Sequence, residues 1–293
     1  MSELIGSDLR TGAARRSGVV VSLLAAALTA VTTVAAAVPA SSQTTGADLA
    51  KLETIVAGEQ RSARNKARDK YRHPVETLAF FGIRPNMTVV ELWPFGGWYT
   101  EIIAPYLKGT GTYYAAAMDP GSSDAEDKKY NAELKTLLDA RPDLYSEVKW
   151  SVLAPGKYNL APDGSADMVV TFRNIHNWVW SGYEKDVFAA AFRALKPGGI
   201  LGVEEHRSNN PQEKPGKDQA YTGEDYAIGL IQSVGFKLVA RSSINNNPKD
   251  TKDYPKGVWT LPPSYAEGDK DRAKYAAIGE SDRFTLKFVK PAQ

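Results

Sequence analysis

The amino-acid sequence predicts an α/β protein with a doubly wound, mostly parallel sheet of seven strands and an antiparallel edge strand. Short runs of β-branched and apolar residues alternate with amphipathic helical segments, which is the pattern of a sheet covered by helices on both faces. Two strands near the C-terminus have no evident helix between them, which indicates the antiparallel edge. The 293 residues are 43% apolar and 24% charged, as in ordinary globular proteins.

Composition narrows the range of partners. The chain has 36 basic and 34 acidic side chains and a formal charge of +2, so it lacks the strongly basic field of a non-specific nucleic-acid binder. The absence of cysteine excludes disulfides, zinc–thiolate sites and cysteine nucleophiles. With three histidines, a histidine-rich metal cage is also excluded. No nucleic-acid partner is therefore predicted.

Residues 1–40 have the three-part order of a secretory signal peptide. Three arginines precede an apolar stretch at residues 19–38, and Val38-Pro39-Ala40 is a small-residue cleavage site. The alternative is an uncleaved membrane anchor formed by residues 19–38, because about 20 apolar residues can span a bilayer. The prediction is a periplasmic or secreted protein whose contact with a membrane is limited to this segment.

The remaining chain divides into a helical N-terminal arm at residues 41–72 and an α/β domain at residues 73–293. The polar stretch Arg61 to Lys70 is predicted to be solvated. Strands are predicted at 87–92, 112–118, 148–153, 166–172, 200–205, 236–242 and 283–289, the last alternating like an edge strand. Helices are predicted from His73-Pro74 to Gly82 and at 98–107, 124–138, 183–195 and 224–234. The polar segment 244–282 is predicted to be a lid or a disordered insert.

A glycine-containing turn follows the first predicted strand. Its sequence is Glu91-Leu92-Trp93-Pro94-Phe95-Gly96-Gly97, and a helix follows it. This strand, turn and helix are typical of a site for nucleotide-like ligands, since the helix N-terminus presents free N–H groups. The turn lacks Gly-x-Gly-x-x-Gly, which disfavours NAD. A second acidic residue, Asp119, ends the next strand.

These features resemble the class I S-adenosylmethionine-dependent methyltransferases. Several further motifs are similar to those of a group of exported bacterial proteins classed as predicted methyltransferases, over roughly Tyr71 to Pro291. They are Tyr71-Arg72-His73-Pro74, Glu91-x-Trp93-Pro94-x-Gly96-Gly97-Trp98-Tyr99, Arg173-Asn174-x-His176-Asn177-Trp178, Leu195-Lys196-Pro197-Gly198-Gly199, Glu205-His206-Arg207 and Ser281-Asp282-Arg283-Phe284.

The resemblance implies a Rossmann-like methyltransferase fold, S-adenosylmethionine as cofactor, and methyl transfer to an unidentified small or aromatic acceptor. The cofactor-binding residues that it implies are Glu91, Gly96, Gly97, Asp119 and Asn174. The glycines would lie under the methionine part and Asp119 would hold the ribose hydroxyls. Glu91 would hold the cofactor's amino group or order the turn.

Two residues of the turn depart from the usual methyltransferase pattern. Trp93 stands where most methyltransferases have the first glycine, and Phe95 stands where the exported group has glycine. A phenylalanine adds a large side chain beside the expected cofactor path and disfavours a positive φ. A non-catalytic, methyltransferase-fold ligand-binding protein of the cell envelope is therefore the alternative function.

All three histidines are candidate catalytic residues. His176 and His206 follow predicted strands, whose carboxyl ends form the ligand crevice in open α/β sheets, and His73 begins the helix before the first strand. Each is a candidate general base, His176 foremost, or else only bonds the backbone. A metal site of His176, His206 and Glu204 or Glu205 is conceivable. Adjacent strand residues point to opposite faces, so only one of these two glutamates could share a face with another ligand. No metal is predicted.

The candidate substrate-binding residues are charged or aromatic side chains near the same strand ends. Arg173 and Arg207 would clamp a carboxylate or phosphate, or form ion pairs with Glu205 or Asp282. Aromatic side chains near the crevice would stack on an aromatic acceptor or pack in the core. The full set is Arg173, Asn177, Trp178, Tyr99 and Arg207.

Overall fold

A computed structural model describes residues 44–292 of the chain. The predicted signal peptide or anchor at residues 1–40 lies outside the described residues. Within residues 44–292, none of the helices combines the length and apolar character needed to cross a membrane.

One sheet of eight strands organises the described chain. The strands are β1 Thr88–Leu92, β2 Thr112–Ala117, β3 Lys149–Ala154, β4 Lys157–Asn159, β5 Ala166–Phe172, β6 Leu195–His206, β7 Lys237–Ser242 and β8 Arg283–Val289. Their order across the sheet is β4-β3-β2-β1-β5-β6-β8-β7. Strands β1, β2, β3, β5 and β6 pair in parallel, so the predicted fold class is confirmed.

The edges of the sheet differ in two details from the prediction. The short strand β4 pairs antiparallel with β3 and adds an eighth strand. Strand β8 pairs antiparallel with both β6 and β7, so β7 is outermost and β8 lies one strand inside the edge. The alternating pattern of β8 arises because Phe284, Leu286 and Phe288 pack in the core, whereas Arg283 and Thr285, at the alternate positions, are buried polar residues.

Helices cover both faces of the sheet. They are α1 Gly46–Ala57, α2 Ala63–Lys66, α3 Asp69–Arg72, α4 Pro74–Phe81, α5 Thr100–Leu107, α6 Ala125–Ala140, α7 Pro142–Tyr145, α8 Ile175–Ser181, α9 Glu184–Ala194, α10 Glu224–Gln232 and α11 Arg272–Ile278. Val90 and Leu92 of β1 pack in one apolar core and Val89 in the other. The two cores lie on opposite faces of the sheet because successive strand residues point in opposite directions.

The N-terminal arm packs against the α/β domain instead of extending into solvent. Leu52 of α1 is fully buried in the same core as α5. In the polar stretch that was predicted to be solvated, Arg61 is only 3% exposed. Its guanidinium forms an ion pair with Asp69 at 2.7 Å and lies over the ring of Trp98. Paired charges and an aromatic contact thus bury an arginine that its sequence neighbours place on the surface.

The segment 244–282 is folded rather than disordered. It contains a short 3-10 helix, Gly257–Thr260, and helix α11. Tyr221 donates a hydrogen bond to the buried carboxylate of Asp250 at 2.9 Å, and this bond ties the segment to the chain before α10. Trp259 of the 3-10 helix lies beside His176, with their ring centroids 6.3 Å apart. The segment therefore forms part of the wall described next.

Candidate functional site

A cavity of about 1010 Å³ opens at the carboxyl ends of β1, β2, β5 and β6. We call it the main cavity; its position is the ligand crevice of open α/β sheets. Three groups of residues line it: the turn after β1 with the loop after β2 (Trp93, Pro94, Phe95, Gly96, Met118, Asp119), an aromatic and histidine group (His176, Asn177, Trp180, His206, Trp259), and four arginines (Arg64, Arg68, Arg72, Arg173).

The turn after β1 has an unusual backbone. Trp93 and Phe95 have positive φ angles of 47° and 50°, which non-glycine residues rarely adopt. The Trp93 indole N–H donates to the carbonyl of Leu153 at 2.8 Å, and the ring of Phe95 packs edge-on against Tyr130 at 4.7 Å. Contacts of both side chains thus hold the backbone in a strained conformation, a feature that clusters at functional sites.

Phe95 is part of the surface of the main cavity. It lines the cavity together with Gly96 and Asp119. Asp119 follows β2 as predicted, and its carboxylate accepts hydrogen bonds from Lys157 Nζ at 2.6 Å and from the backbone N–H of Gly121 at 3.0 Å. The bond from Lys157 lowers the pKa of Asp119.

Glu91 and Gly97 lie behind the turn and do not line the main cavity. The buried carboxylate of Glu91 accepts hydrogen bonds from Thr100 Oγ1 at 3.2 Å and from the hydroxyl of Tyr113, and burial raises its pKa to about 7. Gly97 has a φ of 82° and packs against Leu137 of α6. These contacts match the alternative prediction for Glu91, which is that it orders the turn rather than holding the cofactor's amino group. They also order α5.

Three other predicted site residues support the main cavity from behind. Asn174 Nδ2 donates to the carbonyl of Leu92 at 2.9 Å and to Thr171 Oγ1 at 3.2 Å, which joins the carboxyl ends of β1 and β5. Trp178 is fully buried in the core. The ring of Tyr99 stacks on Phe172 at 3.5 Å. None of the three lines the main cavity, so the structure does not give them direct ligand contact.

The tyrosine also reaches a buried ion pair. Its hydroxyl donates to Glu204 Oε2 at 3.3 Å, and Glu204 Oε1 accepts from Arg173 Nη1 at 2.6 Å. Burial alone would raise the pKa of Glu204, but Arg173 and Arg283 lower it below its usual value. Tyr99 therefore helps to position the carboxylate that holds Arg173.

Two of the three histidines meet at the main cavity. The rings of His176 and His206 lie 5.5 Å apart. His176 Nδ1 lies 3.1 Å from Glu205 Oε1, and His206 Nδ1 lies 2.6 Å from Ser281 Oγ. Within residues 44–292, the Nε2 atoms of both rings have no hydrogen-bond partner. Burial lowers the pKa of His206 well below its usual value, and the neighbouring His176 lowers it further.

Glu205 is held firmly by backbone N–H groups. Its Oε2 accepts from the N–H of Ile175 at 2.7 Å, and its Oε1 accepts from the N–H of His206 at 2.8 Å. Glu204 points to the opposite face, as the alternation of β6 requires. His176, Glu205 and His206 bring potential ligand atoms within 4.8 Å of one another. Both carboxylate oxygens of Glu205 already accept hydrogen bonds, so we still predict that these residues bind no metal.

His73 and Arg207 do not reach the main cavity. His73 Nδ1 lies 3.3 Å from Asn245 Oδ1, so the three predicted histidines do not share one site. Arg207 Nη2 donates to Asn246 Oδ1 at 2.8 Å, and its Nε lies 3.5 Å from Glu224. Arg207 lies at the end of β6, but it extends toward β7 and α10, because residues next to each other on a strand end diverge.

Several residues of the site receive no functional role from the sequence, although Arg72 and Ser281 stand in motifs of the resemblance. They are Arg64, Arg68, Arg72, Trp259, Glu280 and Ser281. The three arginines recur at intervals of four residues, which places them on one face of a helix. That spacing is the sequence signal that could have placed the three arginines at one site. The charged stretch as a whole, however, predicts a solvated surface. Trp259, Glu280 and Ser281 come from the segment that ends at residue 282, where no sequence pattern indicates proximity to β6.

Comparison with solved structures shows which proteins share this fold. A methyltransferase from Aquifex aeolicus described as SAM dependent superposes with a TM-score of 0.50 and 16% identity, covering 83% of this chain and 98% of that one. The [4+2]-cyclase SpnF superposes with a TM-score of 0.51 and 16% identity, covering 84% and 94%. No protein-family model and no curated protein matches the sequence.

The comparisons define the fold. The chain has the Rossmann-like fold of the class I S-adenosylmethionine-dependent methyltransferases. Its main cavity occupies the ligand crevice of that fold. Fold alone does not fix the reaction, and the cyclase among the neighbours illustrates this.

Proposed function

We propose that the protein is an S-adenosylmethionine-dependent methyltransferase that acts on a small acceptor in the main cavity. The observation that carries the proposal is that one cavity joins the turn after β1 to a histidine held by a buried carboxylate. A cofactor site and a candidate base are thus continuous. In base-assisted methyl transfer, the cofactor's methyl group and the base must both reach the same acceptor group.

The residues at the turn end of the main cavity fit an adenosyl cofactor. Asp119 offers a carboxylate at the end of β2, and Gly96 brings backbone to the cavity surface. Leu153 and Ala154 at the end of β3, and Pro155 directly after it, give an apolar wall suited to an adenine base. When bound, S-adenosylmethionine supplies an electrophilic methyl group. The protein's contribution is to hold the acceptor in line and to exclude water.

His176 is the proposed general base. With Glu205 accepting from Nδ1–H, the tautomer of His176 is fixed and Nε2 is left as the acceptor atom. Nε2 would then take the proton from an acceptor hydroxyl or amine during transfer. Such base catalysis contributes roughly 100- to 10,000-fold to a rate. The neighbouring His206 is uncharged at neutral pH, because its pKa is lowered, and does not compete for a proton.

Calorimetry with S-adenosylhomocysteine tests the proposal directly. We expect the purified wild-type protein to bind this product with micromolar affinity, in line with a formed cofactor site. Asp119→Asn should weaken the binding, because a neutral amide replaces the carboxylate proposed to hold the ribose hydroxyls. Lack of binding by the wild-type protein would contradict the proposed function.

A non-catalytic ligand-binding protein is the second candidate, and one feature of the turn favours it. Phe95 presents a ring where a smaller residue would leave more room, and it holds a φ of 50°. Phe95→Gly would remove the ring and the strain together. If the wild-type protein ignores S-adenosylhomocysteine and Phe95→Gly binds it, the fold has kept a closed cofactor site and the second candidate is correct.

We also propose that the protein is exported, on the basis of residues 1–40 alone. Cell fractionation combined with N-terminal sequencing of the mature protein tests this. A new N-terminus at Ser41 in the periplasmic or secreted fraction is the expected result. An intact N-terminus in the membrane fraction would instead support the anchor formed by residues 19–38.

A further inference from the structure

Four arginines form one wall of the main cavity. Arg64, Arg68 and Arg72 come from the α2–α3 region at intervals of four residues, and Arg173 comes from the end of β5. We call these four residues the arginine wall. Like charges at this spacing repel one another. Their gathering at a cavity therefore costs stability unless negative charge offsets it.

The protein offsets only part of this charge. Glu280, 2% exposed, accepts from Arg68 Nε at 2.6 Å and from Arg72 Nε at 3.2 Å, and it also accepts from Arg283. Glu204 accepts from Arg173 Nη1. Two buried carboxylates thus contact three guanidinium groups of the wall, and they also contact Arg283. The acidic residues that line the main cavity, Asp119, Asp124, Glu126, Asp127 and Glu133, belong instead to the loop after β2 and to α6.

The guanidinium groups of the wall keep unused donors. Arg68, Arg72 and Arg173 each commit a single side-chain nitrogen to a buried glutamate, and a guanidinium has five N–H donors. Arg64 forms no hydrogen bond or ion pair within residues 44–292. Arg72 also lies over the ring of Trp98 at 4.6 Å, which fixes the plane of its fork. Burial lowers the pKa of Arg72 well below its usual value and Arg173 lowers it further, although Glu280 raises it.

We propose that the arginine wall binds a carboxylate or phosphate group of the methyl acceptor. Planar forks with free donors match these anions, because guanidinium groups bind them through parallel hydrogen bonds. Arg173 lies three residues before His176, and both side chains line the main cavity. An acceptor anchored by its anion would place the rest of its body beside the imidazole and the rings of Trp180 and Trp259. The assignment to the acceptor rests on the proposed function, whereas anion binding itself does not.

Titration with benzoate and with its neutral analogue benzamide tests the proposal without cofactor or turnover. We expect benzoate to bind at least tenfold more tightly than benzamide to the wild-type protein. Arg72→Gln and Arg173→Gln should each weaken benzoate binding at least tenfold and leave benzamide unchanged. Arg141→Gln, which removes an exposed arginine paired with Asp143, is the matched control and should change neither affinity.

Arg64→Gln serves as the variant that tests the arginine wall without disturbing the fold. Arg64 is exposed and unpaired in the described chain, so its substitution spares the buried glutamates, and we expect a several-fold loss of benzoate affinity. The proposal would be overturned if the wild-type protein bound benzoate and benzamide equally. It would also be overturned if Arg64→Gln and a folded Arg72→Gln both kept the benzoate affinity of the wild type. An equal loss in Arg141→Gln would overturn it as well.

A second pair of ligands distinguishes the source of the anion. S-adenosylhomocysteine has a carboxylate and 5′-methylthioadenosine does not. If the arginine wall serves the acceptor, Arg64→Gln and Arg72→Gln leave the affinities of both nucleosides unchanged. A tenfold loss for S-adenosylhomocysteine alone would assign the wall to the cofactor's own carboxylate and overturn the assignment to the acceptor. Failure of both nucleosides to bind the wild-type protein would contradict the proposed function and leave the benzoate result standing.

Discussion

At the scale of single residues, His176 owes its proposed role to Glu205. The carboxylate accepts hydrogen bonds from two backbone N–H groups, at Ile175 and His206, so it cannot rotate away from the imidazole. A ring fixed in this way needs little reorganisation when a proton arrives. The contact with Ile175 connects the start of α8 to the end of β6, which makes the pair part of the scaffold.

Replacement of His176 should separate catalysis from binding. We expect His176→Ala to lower turnover roughly 100- to 10,000-fold, since the general base is lost, and to leave the affinity for S-adenosylhomocysteine within about twofold, because the turn end of the cavity is untouched. Steady-state kinetics and calorimetry measure the two quantities. His73→Ala is the matched control: it removes a histidine outside the main cavity and should retain turnover. Equal turnover in His176→Ala and wild type would remove His176 from the mechanism.

Glu91 should make stability fall as the pH rises. Its pKa is about 7 in the folded protein, above its value of about 4.3 in an unfolded chain. Between these values the folded state binds more protons than the unfolded state, so stability declines with pH. We expect Glu91→Gln to abolish this decline and to exceed wild type by about 3 kcal/mol at pH 8. Urea denaturation at pH 4.5 and pH 8 measures the difference in stability between Glu91→Gln and wild type. A difference that does not grow with pH contradicts the raised pKa of Glu91.

At the scale of elements, the turn between β1 and α5 combines strain with close packing. Trp93, Phe95 and Gly97 all have positive φ angles, yet only Gly97 adopts that conformation without a side-chain penalty. The other two are held by contacts with Leu153 and Tyr130. The cost of the turn is therefore offset by packing against α6 and β3, the elements that enclose the turn end of the main cavity.

Gly97→Ala tests this account of the turn. The φ of 82° disfavours any side chain, and a Cβ would lie 2.3 Å from Leu137 Cδ2, a side-chain end that can move only in part. We expect a loss of about 1–3 kcal/mol in the free energy of unfolding, measured by urea denaturation. Gly216→Ala is the control, because nothing lies within 4 Å of its added Cβ. Equal stability of the two variants would show that the turn tolerates a side chain.

At the scale of the whole molecule, Glu280 ties the two ends of the described chain together. It links Arg68 and Arg72 of the N-terminal arm to Arg283 at the start of β8. Burial alone would raise its pKa, but the three arginines lower it well below the usual value. One buried carboxylate thus connects α3, β8 and the arginine wall.

Removal of this charge should destabilise the fold. We expect Glu280→Gln to cost about 3–5 kcal/mol, because buried guanidinium groups lose their counter-charge. Since the folded pKa is depressed, the contribution is present above the unfolded value of about 4.3 and is lost as the pH falls below it. The gap between wild type and Glu280→Gln should therefore narrow in acid. Thermal denaturation from pH 3 to pH 7 measures this stability gap, and Glu53→Gln, at an exposed position, is the control. A gap that stays constant in acid would contradict the stabilising role of the Glu280 charge.

The sequence by itself determined the fold class and most elements of the sheet. Hydrophobic alternation and glycine turns are local properties, and they located β1, β2, β3, β5, β7 and β8 within one residue at each end. Strand β6 begins at Leu195, well before the predicted start at residue 200. Helix α8 was missed because Ile175–Ser181 is short and rich in aromatic residues, which carry no clear amphipathic period. The pairing of β8 between β6 and β7 was also missed, since alternation does not reveal how many neighbours a strand has.

Only the tertiary structure decided which of the candidate residues share a site. The strand-end rule brought His176, His206, Arg173 and Asp119 to one edge of the sheet, because parallel strands all end there. It could not show that Glu205 holds His176, that His73 and Arg207 diverge, or that the arm brings its arginines to the cavity. Those arrangements depend on contacts between residues up to about two hundred positions apart, such as Arg72 with Glu280, and side-chain direction at such contacts is set by packing of the whole chain rather than by local sequence.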